Sequence, residues 1–202
     1  MNARATYFAG ATGCTQSLRS TRLVSQWFGL ACIVLVQRHE QAPAHASARM
    51  EPHMSEHTAN ILWNRDGAEF RYEHFSRSHT WTFDGGVVVP ATSAPAYYGV
   101  AERVDPEEAL VAALSSCHML TFLAIAARKR FIVEQYSDEA RGVLTKNEKG
   151  KLWMSQVTLR PKAIFSGEKR PTAEEIAAMH HTAHENCFIA LSVRSEVLVE
   201  PQ

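Results

Sequence analysis

The sequence has little of what several specialised protein classes require. Lysine and arginine number 21 and aspartate and glutamate also number 21 in 202 residues, so the formal net charge is zero. Without an excess of charge there is no electrostatic reason to expect binding to nucleic acid or to an anionic membrane. Four cysteines are too few to staple a chain of this length, which favours a reducing, cytoplasmic location. With 46% apolar residues, the composition is that of an ordinary globular protein.

The first 53 residues contain no lysine and no aspartate, and they do not resemble part of a folded domain. Their longest apolar run, 27–36, is about half the ~20 residues that a membrane span requires. Basic residues before the run and small residues after it imitate a signal peptide. Three interpretations stay open: a targeting peptide, a disordered extension, or an over-long start assignment with Met50 or Met54 as the initiator. Each leaves residues 54–202 as one domain of common size.

The pattern of residues 54–202 predicts an α+β fold, with two main helices packed on an antiparallel sheet. Alternation and turn residues predict strands at 59–64, 69–75, 80–83, 87–89, 139–145, 152–165 and 195–200. The first helix lies between the fourth and fifth of these strands. A capping box formed by Thr172 and Glu175 predicts a second helix that ends near Asn186.

The first helix is predicted by the run Asp105-Pro106-Glu107-Glu108, which places an N-cap acid, a proline and two carboxylates in the first turn. The helix is expected to continue to Ala127, just before three basic residues. Between 109 and 127 it is apolar on almost every face, so it should form the buried centre of the domain. One small sheet and one further helix cannot cover such a helix. We therefore expect a second copy of the chain to close part of its surface.

Each main helix supplies one cysteine: Cys117 lies in the first helix, and Cys187 lies just past the second. A cysteine of this kind can be a small buried apolar residue with no chemical role. Alternatively, the two can form a redox pair, in which one thiolate becomes a sulfenic acid on attacking a peroxide and the other thiol condenses with it to a disulfide. An attacking thiol needs a lowered pKa, and therefore a cation nearby.

The segment 105–117, with the sequence DPEEALVAALSSC, resembles the signature N-P-E-x-L-x-x-A-x-x-[AS]-C of the OsmC/Ohr family of osmotically inducible and organic hydroperoxide resistance proteins. Residues 183–187, AHENC, resemble the second cysteine motif of that family. The resemblance implies an intertwined homodimer in which Cys117 is the peroxidatic cysteine and Cys187 the resolving one. It further implies reduction of organic hydroperoxides without a cofactor, using a dithiol reductant such as a lipoyl group, in defence against oxidative stress.

In this family an arginine from the N-terminal strands orders the thiolate together with a glutamate, which the motif identifies here as Glu107. Arg65, in the turn after the first strand, resembles the family position best, and Arg77 is the alternative. If neither arginine acts on the thiolate, His118 and His79 are the next candidates for the positive charge.

Two features of this sequence do not fit a direct transfer of the family's site residues to this chain. Ten residues of straight helix would separate Glu107 from Cys117 by about 15 Å. The helix must therefore break near its start, or the carboxylate must come from the other subunit. In the second motif, Phe188 follows Cys187 where the family commonly has proline, so the backbone that presents the resolving thiol is expected to differ.

Histidines offer a rival chemistry. His180 and His184 are spaced i,i+4 on one helix, and Cys187 lies three residues further, which is a spacing that zinc ligands use. His118 is predicted to be a core or interface residue, since its side chain leaves the helix about 100° away from that of Cys117. Two alternatives to a peroxidase thus stay open: a ligand-binding relative with structural cysteines, and a metal-binding module at His180 and His184.

Overall fold

A computed structural model describes residues 55–202, and the expectations for residues 1–53 lie outside this range. The described part begins with an antiparallel meander of three strands, β1 (Ala59–Leu62), β2 (His79–Phe83) and β3 (Val88–Ala91). A tight turn after Phe83 joins β2 to β3, and Gly86 adopts a φ of 79° in it. The three strands contact mainly one another rather than the rest of the chain.

The long helix α1 (Pro106–Arg128) starts where the sequence predicts it. Glu108 N donates to the Asp105 carboxylate at 2.8 Å, and Asp105 N donates to the Glu108 carboxylate at 3.2 Å. This reciprocal capping box satisfies two backbone N–H groups that the helix leaves unpaired at its start. The helix then runs unbroken for 23 residues.

The remaining elements form two further sheets and two helices. They are β4 (Ile132–Asp138), β5 (Arg141–Lys146), β6 (Leu152–Leu159), β7 (Pro161–Ser166), α2 (Ala173–Glu185), α3 (Phe188–Ser192) and β8 (Glu196–Val199). β4 pairs with β7, while β6 lies between β5 and β8. The predicted α+β class is confirmed, and the capping box of Thr172 and Glu175 opens α2 as predicted.

Four details of the sheet prediction are wrong. Residues 69–75 are not a strand: His74 N and Phe75 N both donate to Arg71 O, which folds this segment into a turn. The single strand predicted at 152–165 is two strands in different sheets, because the chain leaves β6 at Arg160, whose N–H donates to Asp138 Oδ1 at 2.6 Å. β4 was not predicted, and its alternation is interrupted by a register shift. β6 and β8 are parallel, so the sheets are not wholly antiparallel.

The core lies along one stripe of α1. Its fully buried residues recur every four positions: Leu114, His118, Phe122 and Ala126. Other apolar positions of α1 are open to solvent in the single chain, and Leu120 is 60% exposed. By length and composition α1 could cross a membrane, but a core helix of a globular protein has the same length and composition, and the buried stripe shows that α1 packs in this fold.

Candidate functional site

The structure brings the two predicted cysteines together. Cys117, in the middle of α1, is half-buried, and Cys187, between α2 and α3, is almost completely buried. Both are free thiols, and the two lie close enough for Cys117 to affect the ionisation of Cys187. Burial, and then the neighbouring Cys117 thiol, raise the pKa of the Cys187 thiol to about 11. Cys187 is therefore a neutral thiol at pH 7 and stands beside the more accessible Cys117.

Cys187 also begins helix α3. Its sulfur accepts a hydrogen bond from Ala190 N at 3.4 Å, which is the position of an N-cap side chain. Phe188 is thus the first residue of α3, a position that favours proline because its N–H would be unpaired in any case. Phenylalanine and proline suit the same backbone here. The difference expected from Phe188 is accordingly small, and its ring points outward at 79% exposure.

Glu107 is not near Cys117 within one chain. α1 has no break, so ten residues of regular helix hold the two residues about 15 Å apart. Of the two explanations that the sequence allowed, a broken helix is wrong. Glu107 instead faces a cavity of about 670 Å³, which Ser115, Asp138 and Arg141 also line.

The two candidate arginines occupy different environments. Arg65 is exposed in a turn in which Asp66 and Gly67 have φ values of 48° and 75°, and its guanidinium reaches only Ala68 O at 3.4 Å. Arg77 is half-buried beside a cavity of about 470 Å³ in the meander. Among the described residues neither guanidinium bonds to a cysteine.

Aromatic rings and carbonyl groups hold Arg77 in place. Its guanidinium carbon lies 3.5 Å from the centroid of the Phe75 ring and 5.0 Å from that of Tyr98. It donates to Phe75 O at 2.6 Å and to Tyr72 O at 2.5 Å. Pro106, which precedes Glu107, lines the same cavity. The fold thus presents a fixed positive charge in an apolar cavity that reaches the start of α1.

Neighbouring groups occupy both ring nitrogens of His79. Trp81 Nε1 donates to His79 Nε2 at 2.9 Å. The other nitrogen, Nδ1, lies 2.8 Å from Arg77 O. Among the described residues, the hydrogen bonds of His79 thus go to Trp81 and Arg77 and not to a cysteine.

His118 is buried, as predicted, and it meets a partner that the sequence did not indicate. Its Nε2 lies 3.0 Å from Nδ1 of His180 on α2, and the two ring planes are parallel to within 3°. Phe122 stacks on His180, with the ring centroids 4.2 Å apart. The two histidines are 1% and 3% exposed, so this hydrogen bond crosses the α1–α2 contact shielded from bulk solvent.

Further polar groups surround the histidine pair. Ser115 Oγ donates to Asp138 Oδ2 at 2.5 Å, one turn before His118 on α1. Three buried polar atoms in this region have no hydrogen-bond partner within the described chain: Nδ1 of His118, Nδ1 of His184 and the hydroxyl of Tyr136. Burial, followed by the charge of Asp138, raises the pKa of Tyr136 above its ordinary value.

The two buried histidines are neutral at physiological pH. Burial, and then the neighbouring His184, lower the pKa of His118 to about 4, while Asp138 opposes that lowering. Burial, and then His118, lower the pKa of His180 to about 4. Neither ring can therefore supply the positive charge that a thiolate at Cys117 needs.

The metal-binding alternative finds no support in the part of the chain that the structure describes. Within residues 55–202 no three histidine, cysteine, aspartate or glutamate side chains are arranged to hold a metal ion. The Nδ1 atom of His180 is already engaged by His118. His180 and His184 therefore do not assemble the predicted set of ligands.

Comparison with known proteins identifies relatives of this fold. A profile of OsmC-like proteins matches residues 99–202. An OsmC-like protein of unknown function from Vibrio cholerae is 52% identical over 74% of this chain and 100% of its own, with a TM-score of 0.71. Among curated proteins, the uncharacterized protein YmaD of Bacillus subtilis is 23% identical over 127 residues, which cover 60% of this chain and 82% of YmaD.

Two solved structures of organic hydroperoxide resistance proteins share the fold at low identity. The protein from Elizabethkingia anophelis is 15% identical over 75% of this chain and 96% of its own, with a TM-score of 0.56. OhrB of Bacillus subtilis is 21% identical over 72% of this chain and 98% of its own, with a TM-score of 0.51. At these identities the similarity extends to the fold alone.

The neutral histidine pair makes stability depend on pH. The pKa of each ring is about 4 in the folded chain against 6.5 when free, so the unfolded chain binds more protons between these values. The pair's contribution to the free energy of unfolding should be complete above pH 6.5. It should fall by up to about 1.4 kcal/mol per pH unit for each histidine as the pH drops towards 4.

Urea unfolding between pH 7.5 and 4.5, at one protein concentration, measures this dependence. The double variant His118→Leu/His180→Leu removes both partners together and should show a clearly shallower loss of stability in acid. Parallel curves for this variant and the unsubstituted chain would mean that the pair does not titrate in this range.

Proposed function

Because this chain belongs to the OsmC-like protein family, we propose that it reduces organic hydroperoxides with Cys117 as the peroxidatic and Cys187 as the resolving cysteine. The observation that carries the proposal is the proximity of the two free thiols at the junction of α1 with α2 and α3. Structural cysteines need no such contact. The likeness in fold to two organic hydroperoxide resistance proteins supports the substrate class.

The proposed reaction has two chemical steps and a recycling step. The Cys117 thiolate attacks the terminal oxygen of the hydroperoxide, the O–O bond breaks, and the alkoxide takes up a proton and leaves as the alcohol. Cys187 then attacks the sulfur of the Cys117 sulfenic acid, which forms the disulfide and releases water. A dithiol reductant in the cytoplasm, such as a lipoyl group, returns both cysteines to thiols and is itself oxidised to a disulfide. No cofactor takes part.

The environments of the two thiols support this division of roles. Burial keeps Cys187 protonated, so it is a poor first nucleophile, while the accessible Cys117 can meet a peroxide from solvent. Resolution needs little movement, because the Cys117 thiol already lies beside Cys187.

We further propose that an arginine of the meander and Glu107 of the partner subunit order the thiolate. The motif favours Arg65, whereas the surroundings favour Arg77, which is held half-buried beside the start of α1. A guanidinium stays charged when buried, and its planar fork can hold a carboxylate with one edge and a sulfur or peroxide oxygen with the other. Arg77 is therefore the stronger candidate on structural grounds.

The proposed functional unit is a homodimer. The open apolar faces of α1 and the self-contained meander support an arrangement in which a second chain covers α1. A dimer would also overcome the 15 Å that separates Glu107 from Cys117 within one chain.

Serine substitutions test the roles of the two cysteines, in a background in which Cys14 and Cys32 are serine. Cys117→Ser should abolish consumption of an alkyl hydroperoxide, because an alcohol is not ionised at neutral pH and cannot attack oxygen. Cys187→Ser should complete one turnover and keep a sulfenic acid on Cys117, which a dimedone probe and mass spectrometry detect. Retained turnover by the first variant would rule out the mechanism and leave a ligand-binding role with structural cysteines.

The choice of arginine is tested by the pH dependence of iodoacetamide reactivity at Cys117. Loss of a cation within about 4–6 Å disfavours the thiolate, so Arg77→Ala should move alkylation to higher pH and slow it about tenfold at pH 7. Arg65→Ala serves as the matched control and should behave like the unsubstituted chain. A shift in Arg65→Ala alone would assign the role to Arg65, and a shift in neither variant would exclude both arginines.

Sedimentation tests the assembly. We expect the chain to sediment at micromolar concentration with twice its 22.5 kDa mass. Leu120→Glu places a charge on the open face of α1 and should shift the equilibrium towards the monomer. A stable monomer of the unsubstituted chain would reject the dimer, and with it any role for the partner subunit's Glu107.

A further inference from the structure

The buried contact of His118 with His180 takes no part in either of the proposed chemical steps. It nevertheless lies next to the reacting sulfur, because His118 follows Cys117 on α1. On α2, His180 lies seven residues before Cys187, which is about two helical turns. The imidazoles thus bond α1 to α2 close to the place where the Cys187 thiol approaches Cys117.

A hydrogen bond between two buried rings fixes a position that apolar packing would leave loose. Apolar side chains of suitable size tolerate small shifts, whereas a nitrogen pair at 3.0 Å depends on both distance and ring rotation. If α2 slides or rotates on α1, two buried imidazole nitrogens lose their hydrogen-bond partner. Phe122, stacked on His180, restricts the ring further.

We propose that the His118–His180 hydrogen bond is a positioning contact that holds the Cys187 thiol against Cys117 and so sets how readily the two form a disulfide. This inference deepens the proposed function and rests on it for its biological meaning. The disulfide has strict geometry, with the two sulfurs about 2.05 Å apart and the Cα atoms about 4.4–6.8 Å apart. Of the two cysteines, only Cys117 attacks the peroxide, so the contact should control the second step and leave the first unchanged.

The test measures thiol proximity without any peroxide. The full chain, with Cys14 and Cys32 as serine, is equilibrated with reduced and oxidised glutathione. Two protein thiols are oxidised as one glutathione disulfide is reduced to two thiols, and the equilibrium constant is the effective concentration of Cys117 and Cys187. His180→Leu should lower this effective concentration about tenfold, the loss expected for one hydrogen bond.

Two further variants separate positioning from general destabilisation. His180→Asn keeps a polar amide group near the position of Nδ1, where it can bond to His118. This variant should therefore have an effective concentration within about twofold of the original. Phe131→Leu weakens the same core away from the imidazoles and should leave the effective concentration unchanged despite lower stability in urea. If His180→Leu does not fold, His180→Gln, whose polar group lies one methylene further out, takes its place.

A second measurement follows both steps after peroxide is added. In His180→Leu, the sulfenic acid should form at the original rate while the disulfide forms about tenfold more slowly. An unchanged effective concentration in His180→Leu, or an equal loss in His180→Asn or Phe131→Leu, would overturn this inference. Absence of a sulfenic acid in the unsubstituted chain would instead overturn the proposed peroxidase, while the glutathione result would still decide whether the contact positions the thiols.

Discussion

The fold depends on how α1 (Pro106–Arg128) is covered. The chain's own sheets and α2 bury one stripe of this helix, and the other apolar faces stay open. A polar group on the buried stripe of such a helix is costly unless another polar group bonds to it. In the middle of the helix, Cys117 lies beside the Cys187 thiol, and the buried His118 bonds to His180 of α2. The apolar character of α1 thus creates both the site and the need for its partners.

The features that could be predicted from sequence are those encoded within a few residues. Asp105 with Glu108, and Thr172 with Glu175, each form a capping box that needs no tertiary contact, so both helix starts are correct. The strand errors arise where particular contacts, and not periodicity, decide the outcome. Arg160 leaves its strand towards Asp138, 22 residues earlier, and residues 69–75 fold into a turn in which Phe70 and Phe75 contact each other. Periodicity alone cannot distinguish a strand from a turn in which aromatic and polar residues alternate.

In the candidate site, too, the features encoded within a few residues could be predicted and those that depend on tertiary contacts could not. The motifs around Cys117 and Cys187 identify the two thiols, because a family motif lists residues along the chain. Such a motif carries no information on contacts between distant residues. The sequence also indicates that His118 is buried, since it lies on an apolar helix. Nothing in the sequence pairs it with His180, 62 residues away, because that pairing follows from how α2 packs on α1. His180 looked like part of a metal site only because its spacing to His184 is visible in the sequence and its burial is not.

The charges that a thiolate at Cys117 needs connect the proposed chemistry to the proposed dimer. A thiolate in an apolar helix needs a fixed cation, and the buried histidines beside it are neutral. In the described part of the chain, the arginine best held beside an apolar cavity is Arg77, in a meander that contacts α1 little. Glu107 stands about 15 Å from Cys117 along an unbroken helix. Residues 55–202 of a single chain thus hold the thiols together but do not bring these charges to them, so in the proposed enzyme the second copy completes the active site rather than only stabilising it.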